Sequence, residues 1–132
     1  MVQNSKIEDT IKMQGKAKSA GKESPVLKDV LGAVKDIESL IDYQENSVVS
    51  KMLIKKAGGN ITLFAFDGQG LSEHSAPFDA LVQCLDGEAI VKIAGMENPI
   101  SKGQIIVLPA NKPHAIDVSG GTRFKMMLVM IT

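Results

Sequence analysis

The chain has 132 residues, enough for one domain of ordinary size but not for two with full cores. Its hydrophobic fraction of 44% is sufficient for a packed interior, and fifteen basic and fifteen acidic residues give a formal net charge of zero. The basic residues are almost all lysines with few aromatic residues beside them, which argues against nucleic-acid binding. A single Cys and two His exclude a disulfide framework and a zinc site built from a Cys cluster.

Residues 1–23 are polar and Lys-rich and have the composition of a linker, so we expect a mobile N-terminal arm. The sequence has no apolar stretch of membrane-spanning length and no signal-peptide core. We therefore expect a cytoplasmic protein with no membrane partner, in which Cys84 is a free thiol.

Residues 24–42 are predicted to form an amphipathic helix. Ser24 is a suitable N-cap, and Pro25 would occupy the first helical position. Apolar side chains then recur at three- and four-residue spacing: Leu27, Val30, Leu31, Val34, Ile37 and Ile41. The charges on the opposite face are mixed, which favours docking on the body of the same chain over attachment to a membrane.

Residues 43–132 are predicted to form a single β-domain. Short extended runs are separated by turn residues, and the predicted strands cover Val48–Lys56, 61–66, 80–85, 88–93, 104–108, 114–118 and 122–131. The predicted turns are at 58–60, 67–70, 86–87, 95–99, 102–103 and 119–121. Seven strands with no helix between them indicate an all-β sandwich or closed barrel.

Two segments of this region resemble the two motifs of the cupin superfamily. Gly68, His74 and Gly87 match the first motif in register, and Gly103, Pro109 and His114 match the second. The resemblance covers residues 48–131. It implies a small single-domain cupin barrel, a double-stranded β-helix of jelly-roll type, here with an N-terminal helical extension. Because small cupins are often dimers, it also implies a homodimer, with the strand at Val48–Lys56 or the N-terminal helix as candidate interfaces.

The resemblance also implies a metal site, but in degenerate form. In the family, three residues of the first motif (two His and a Glu) and one His of the second hold a divalent metal, commonly iron, manganese, nickel or zinc. Here the second His is replaced by Ala76 and the Glu by Ala80, so that His74 and His114 remain. A transition-metal site normally needs at least three protein ligands.

Two interpretations of the histidines stay open. A third ligand from Glu73, Asp79 or Cys84 would complete a metal site. Alternatively, His74 and His114 are polar groups in the barrel mouth that bond to each other or to water.

The mouth of the barrel is the candidate ligand site. Strand alternation places Ala80, Val82 and Cys84 on one face, which points inward if the Glu position does so as in the family. The candidate ligand-binding residues are His74, Ala76, Phe78, Ala80, Val82, Cys84 and His114. Alanine at two ligand positions makes the pocket roomier and less polar, which favours a partly apolar small molecule.

Two functions follow from these residues. The first is a binding module for a small organic ligand, with or without a weakly held divalent metal at His74 and His114. The alternative is a metal-dependent cupin enzyme of the dioxygenase, isomerase or lyase type, whose catalytic residues the sequence does not identify. The fold does not decide between them, because the cupin barrel supports many functions.

Overall fold

The structure, a computed structural model, describes residues 26–119 and 122–132. The predicted mobile arm at 1–23 and the predicted cap residues Ser24 and Pro25 lie outside this range. The elements described are a short 3-10 helix and eight strands: Ile37–Leu40, β1 (Val48–Lys56), β2 (Gly59–Asp67), β3 (Leu71–His74), β4 (Ala80–Ile93), β5 (Met96–Ser101), β6 (Ile105–Leu108), β7 (His114–Asp117) and β8 (Arg123–Ile131).

The strands form one strongly curled antiparallel sheet whose two halves share β4. The first half, sheet A, has the strand order β1-β2-β8-β4-β6. The second half, sheet B, has the order β3-β7-β4-β5. The two halves enclose a common core, which confirms the predicted all-β class.

The turn predicted at Asp86–Gly87 is wrong, because β4 continues through it from sheet A into sheet B. The register slips between Cys84 and Asp86, so the bend is a bulge inside a paired strand. Gly87 has a φ of +72°, and an added Cβ would lie 1.9 Å from the carbonyl oxygen of Arg123. Asp86 and Gly87 therefore bend β4 without interrupting its pairing with β8.

The turn predicted at 95–99 is also misplaced. The reversal is made by Ala94 and Gly95, whose φ angles of 50° and 85° are typical of a two-residue hairpin turn. Residues after it form β5, which is paired with β4. Pro99 is tolerated there because β5 lies at the edge of sheet B in the described part of the chain. The short strand β3 was not predicted either, since three of its four residues are polar.

The main core lies between the two halves of the sheet. Phe64, Phe66 and Phe124 are fully buried at its centre, with neighbouring ring centroids 5.6–5.9 Å apart. A second apolar cluster covers the outer face of sheet A and includes Leu63 and Leu85. Residues 26–43 pack against this outer cluster and cover it from water.

The helix predicted over residues 24–42 is not formed by the residues described. Residues 28–32 make turns, Gly32 has a φ of +68°, and only Ile37–Leu40 is helical, as a single 3-10 turn. The amide of Leu27 donates to the carbonyl of Leu53 at 2.8 Å, which ties the segment to the edge strand β1 instead of to its own next turn. Leu31 and Val34, assigned to the apolar stripe, are exposed.

The other apolar residues of the predicted helix nevertheless pack on their own chain, as expected. Leu27, Val30, Ile37 and Ile41 all belong to the outer cluster. Within the described residues, no helix is long and apolar enough to cross a lipid bilayer.

Polar contacts fasten the same segment to β8 and β4. The buried Lys125 donates from Nζ to the carbonyl oxygen of Glu38 at 2.7 Å. The Tyr43 ring lies under the cations of Arg123 and Lys125, which are 4.8 and 5.0 Å from its centroid. Its hydroxyl donates to Oδ2 of Asp86 at 2.6 Å.

Candidate ligand-binding site

His74 and His114 come together at one end of the barrel. They are register partners on the paired strands β3 and β7. Their ring centroids are 4.5 Å apart and the rings meet edge to face at 72°. The structure thus joins two residues that are forty positions apart in the sequence, as the two motifs predict.

Main-chain carbonyls fix the orientation of both rings. Nδ1 of His74 lies 2.9 Å from the carbonyl oxygen of Ser72, and Nδ1 of His114 lies 3.2 Å from that of Lys112. A carbonyl oxygen only accepts hydrogen bonds, so each Nδ1 is the donor and each neutral ring has Nε2 as an acceptor. Nε2 of His74 is buried and has no hydrogen-bond partner in the protein.

His114 is held in its neutral form. Its side chain is buried, and burial together with the nearby His74 lowers its pKa from 6.5 to about 4. The bond to the Lys112 carbonyl opposes this shift but is the smallest of the three effects. At neutral pH, His114 therefore presents a hydrogen-bond acceptor rather than a positive charge.

A small, mostly apolar cavity adjoins the two rings. It is lined by Leu71, His74, Leu108, His114, Ile116, Met126 and Leu128. The space open to water is about 10 Å³, roughly what one water molecule occupies. The two imidazoles are its only polar lining residues.

None of the other predicted site residues lines this cavity. Ala80, Val82 and Cys84 face the main core, and Phe78 packs against it. Burial raises the pKa of the Cys84 thiol, whose Sγ lies 3.4 Å from the carbonyl oxygen of Gly87. Cys84 is therefore an unreactive core residue rather than a nucleophile or a third metal ligand.

Two segments that adjoin the histidines in the sequence, one after His74 and one before His114, are joined by hydrogen bonds. Ala76 is buried in the segment after β3, and its carbonyl oxygen accepts from the amide of Asn111 at 2.7 Å. Oδ1 of Asp79 accepts from the amide of Ala110 at 2.8 Å. We call the two segments, 75–79 and 109–113, the rim. Asn111 has a φ of 66°, a conformation that Asn adopts more readily than most residues, and it stands where the second cupin motif has Gly.

Five apolar lining residues were missed by sequence reasoning. Leu71 was missed because β3 was not recognised. Leu108 and Ile116 lie on predicted strands next to motif residues. Alternation along β8 could have identified Met126 and Leu128 as one inward-facing pair, since both are register partners of inward residues of β4.

The residues present do not make a complete transition-metal centre. Nε2 of each histidine is free of main-chain bonds, which suits a metal ligand whose Nδ1 is held by a carbonyl. Among the described residues, however, no group of three or more His, Cys, Asp and Glu side chains is arranged to hold a metal ion. Asp79 is engaged with the rim and Glu73 is exposed, so neither supplies the third ligand.

Comparison with known proteins agrees with this architecture. The model of the AraC-like ligand-binding domain family matches residues 61–131, which contain the cavity and both histidines. No curated protein gives a significant match.

Solved structures are similar over most of the described chain. A cupin 2 conserved barrel domain protein from Leptotrichia buccalis has 40% sequence identity and a TM-score of 0.68; the match covers 72% of this chain and 46% of that protein. A conserved protein of unknown function from Streptococcus pyogenes has 30% identity and a TM-score of 0.72, covering 86% of this chain and 96% of that one. A cupin superfamily protein from Desulfitobacterium hafniense has 29% identity and a TM-score of 0.71, with 84% and 98% covered. The chain thus spans a little under half of the Leptotrichia protein and nearly all of the other two.

Proposed function

Since the chain belongs to the cupin superfamily and matches its AraC-like ligand-binding domain family, we propose that it binds a small organic ligand at the His74–His114 end of the barrel. The observation that carries this proposal is the buried, unpartnered Nε2 of His74 beside an apolar cavity. A buried acceptor without a partner lowers the stability of a protein, and a ligand that donates to it restores the missing bond.

The donor pattern defines the chemistry of this ligand. With each Nδ1 donating to a carbonyl, the acceptor of each imidazole is Nε2, so the ligand offers an O–H or N–H group to these atoms. The remaining walls of the cavity are aliphatic or thioether side chains, which favours an apolar body next to that group. Because the space open to water is about 10 Å³, a ligand larger than a water molecule binds only if the side chains that line the cavity move apart.

We expect 1-butanol, which has one hydroxyl donor, to bind more tightly than diethyl ether, which has only an acceptor. Titrations followed by amide NMR shifts measure both affinities. His74→Leu removes the acceptor and should weaken 1-butanol binding about threefold to tenfold, the loss of one hydrogen bond. Glu73→Gln, on the same strand but exposed, is the control and should bind as the wild type does. Equal affinity for the alcohol and the ether would refute the proposal.

We also propose that a divalent metal at His74 and His114 would be held weakly, because two imidazoles are fewer than the three protein ligands of a stable site. Metal analysis of untagged protein after loading with Fe, Mn, Ni or Zn tests this, with His74→Ala and His114→Ala as controls. We expect less than stoichiometric metal after dialysis. Near-stoichiometric metal that is lost in both variants would instead support the metal-dependent enzyme.

We propose, finally, that the protein is a homodimer. Three apolar side chains on the outer face of sheet A, away from the cover provided by residues 26–43, are strongly exposed: Ile105, Val107 and Ile131. They are uncharged, so the face is compatible with a second copy of itself.

A further inference from the structure

The cavity beside the two histidines is also lined by a sulfur-containing side chain, Met126. This residue lies on β8, is 1% exposed, and shares the cavity with His74 and His114. The space open to water there is about 10 Å³, so the lining side chains surround a volume that suits one small ion or one water molecule. Two imidazoles and one thioether, all of which can bind a metal ion, therefore border one small space.

Both imidazoles have the orientation of metal ligands. The carbonyls of Ser72 and Lys112 hold the two Nδ1 atoms, which leaves the lone pair of each Nε2 free. Imidazoles that bind metals in proteins are commonly held in this way through their other nitrogen. Nε2 of His74 is in addition buried without a hydrogen-bond partner in the protein. This atom therefore lacks the partner that a bound ion would supply.

The side chains around this space do not suit the divalent metals that the cupin resemblance implies. Two ligand positions of the family are occupied by Ala76 and Ala80, and both alanines are buried. Among the described residues that line the cavity, none is acidic, and the four besides the histidines and Met126 are Leu or Ile. The cost of burying an ion rises with the square of its charge, so this neutral, apolar space favours a monovalent ion over a divalent one.

The thioether indicates which monovalent ion fits. Thioether sulfur is a soft ligand that selects copper(I), and imidazole is also a good ligand for copper. Copper(I) accepts two or three ligands, whereas the divalent metals of complete cupin sites take more. The loss of two family ligands thus leaves too few for a divalent centre but enough for copper(I).

We propose that His74, His114 and Met126 bind one copper(I) ion, through the two Nε2 atoms and the thioether sulfur. This inference goes beyond the proposed function and does not rest on it. The ion and an organic ligand would bind to the same two nitrogen atoms, so that each excludes the other.

Competition with bicinchoninate, a coloured chelator of copper(I), tests the site in the full chain under anaerobic, reducing conditions. The wild-type protein should withdraw one copper(I) ion per chain from the chelator. Met126→Leu conserves the volume of the side chain and removes the sulfur, so copper(I) binding should weaken at least about tenfold. Met130→Leu is the matched control, because Met130 is equally buried on the same strand but does not line the cavity. It should bind copper(I) as the wild type does.

Three results would overturn the copper site: no withdrawal of copper(I) by the wild type, equal affinities of the two Leu variants, or zinc bound as tightly as copper(I). If Met126→Leu does not fold, X-ray absorption at the copper edge of the loaded wild type decides instead. A sulfur ligand beside nitrogen supports the site, and nitrogen or oxygen ligands alone overturn it.

The 1-butanol titration tests the proposed function separately. Met126→Leu retains both imidazoles and should bind 1-butanol as the wild type does. Loss of 1-butanol binding with copper(I) binding intact refutes the organic ligand alone. Binding of 1-butanol without binding of copper(I) refutes the copper site alone.

Discussion

One main-chain carbonyl beside each histidine determines which of its ring nitrogens is free to accept a hydrogen bond. The sequence identifies His74 and His114 through their spacing to Gly and Pro, but it does not reveal which ring nitrogen is free. That choice depends on the carbonyls of Ser72 and Lys112, each two residues before its histidine. The turn predicted at residues 58–60 is wrong for Asn60, although an Asn after two glycines is typical of a turn. Here it is the second residue of a strand.

His114 should make the metal-free protein less stable at mildly acidic pH. The pKa is about 4 in the folded chain and 6.5 in the unfolded one, so between these values the unfolded chain binds a proton that the folded chain does not. The free energy of unfolding therefore falls as the pH is lowered through this window, by up to roughly 3 kcal/mol.

Urea unfolding of the protein between pH 7 and pH 4 measures this dependence. His114→Phe removes the titrating group and keeps an aromatic ring, so its stability should vary less over the same window. The carboxylates contribute equally to both proteins. Identical pH profiles would contradict the assignment of His114 as a buried neutral base.

At the scale of elements, β4 organises the barrel, because among the strands of the described residues it is the one that pairs in both halves of the sheet. Its two halves could be predicted separately, since each has a regular apolar pattern. The continuity of the two halves could not be predicted, because an Asp-Gly pair occurs both in turns and in bulges. What distinguishes them is the pairing with β8, a contact between residues far apart in the sequence.

Gly87→Ala should be strongly destabilising. Its left-handed backbone costs a non-glycine residue about 1 kcal/mol, and the new methyl group would also collide with the Arg123 carbonyl on the neighbouring strand. We expect a total loss above about 3 kcal/mol, within the range of backbone strain and overpacking combined.

Gly95→Ala is the matched control, because Gly95 has a similar φ of +85° but no atom within 4 Å of an added Cβ. It should cost about 1 kcal/mol, the backbone term alone. Equal losses in the two variants, measured by thermal or urea unfolding, would show that the approach to β8 is not what requires glycine at position 87.

For the molecule as a whole, the β-barrel could be predicted from the sequence, but the structure of the N-terminal segment that covers it could not. The strands were recognisable because each has its own alternation and turn residues. The segment at 26–43 has helical spacing, but its amides and apolar side chains find partners on sheet A. Tertiary contacts thus override the local pattern.

The proposed dimer predicts a particle of twice the chain mass in light scattering coupled to size-exclusion chromatography. Val107→Glu places a charge on the exposed outer face of sheet A and should shift the protein toward the monomer. Met96→Glu, at a more exposed position on β5, is the control and should leave the oligomeric state unchanged. A wild-type protein that is monomeric at micromolar concentration would refute the dimer.

The two hydrogen bonds across the rim have a kinetic consequence. The amides of Asn111 and Ala110 bond to the segment 75–79, which directly follows His74, so we expect a bound molecule to leave while both bonds are broken. The rate of this opening is then an upper limit for dissociation, whatever the affinity of the ligand. The residence time of the ligand would then be set by two hydrogen bonds that the ligand does not contact. Hydrogen exchange at these two amides would report how often the bonds break.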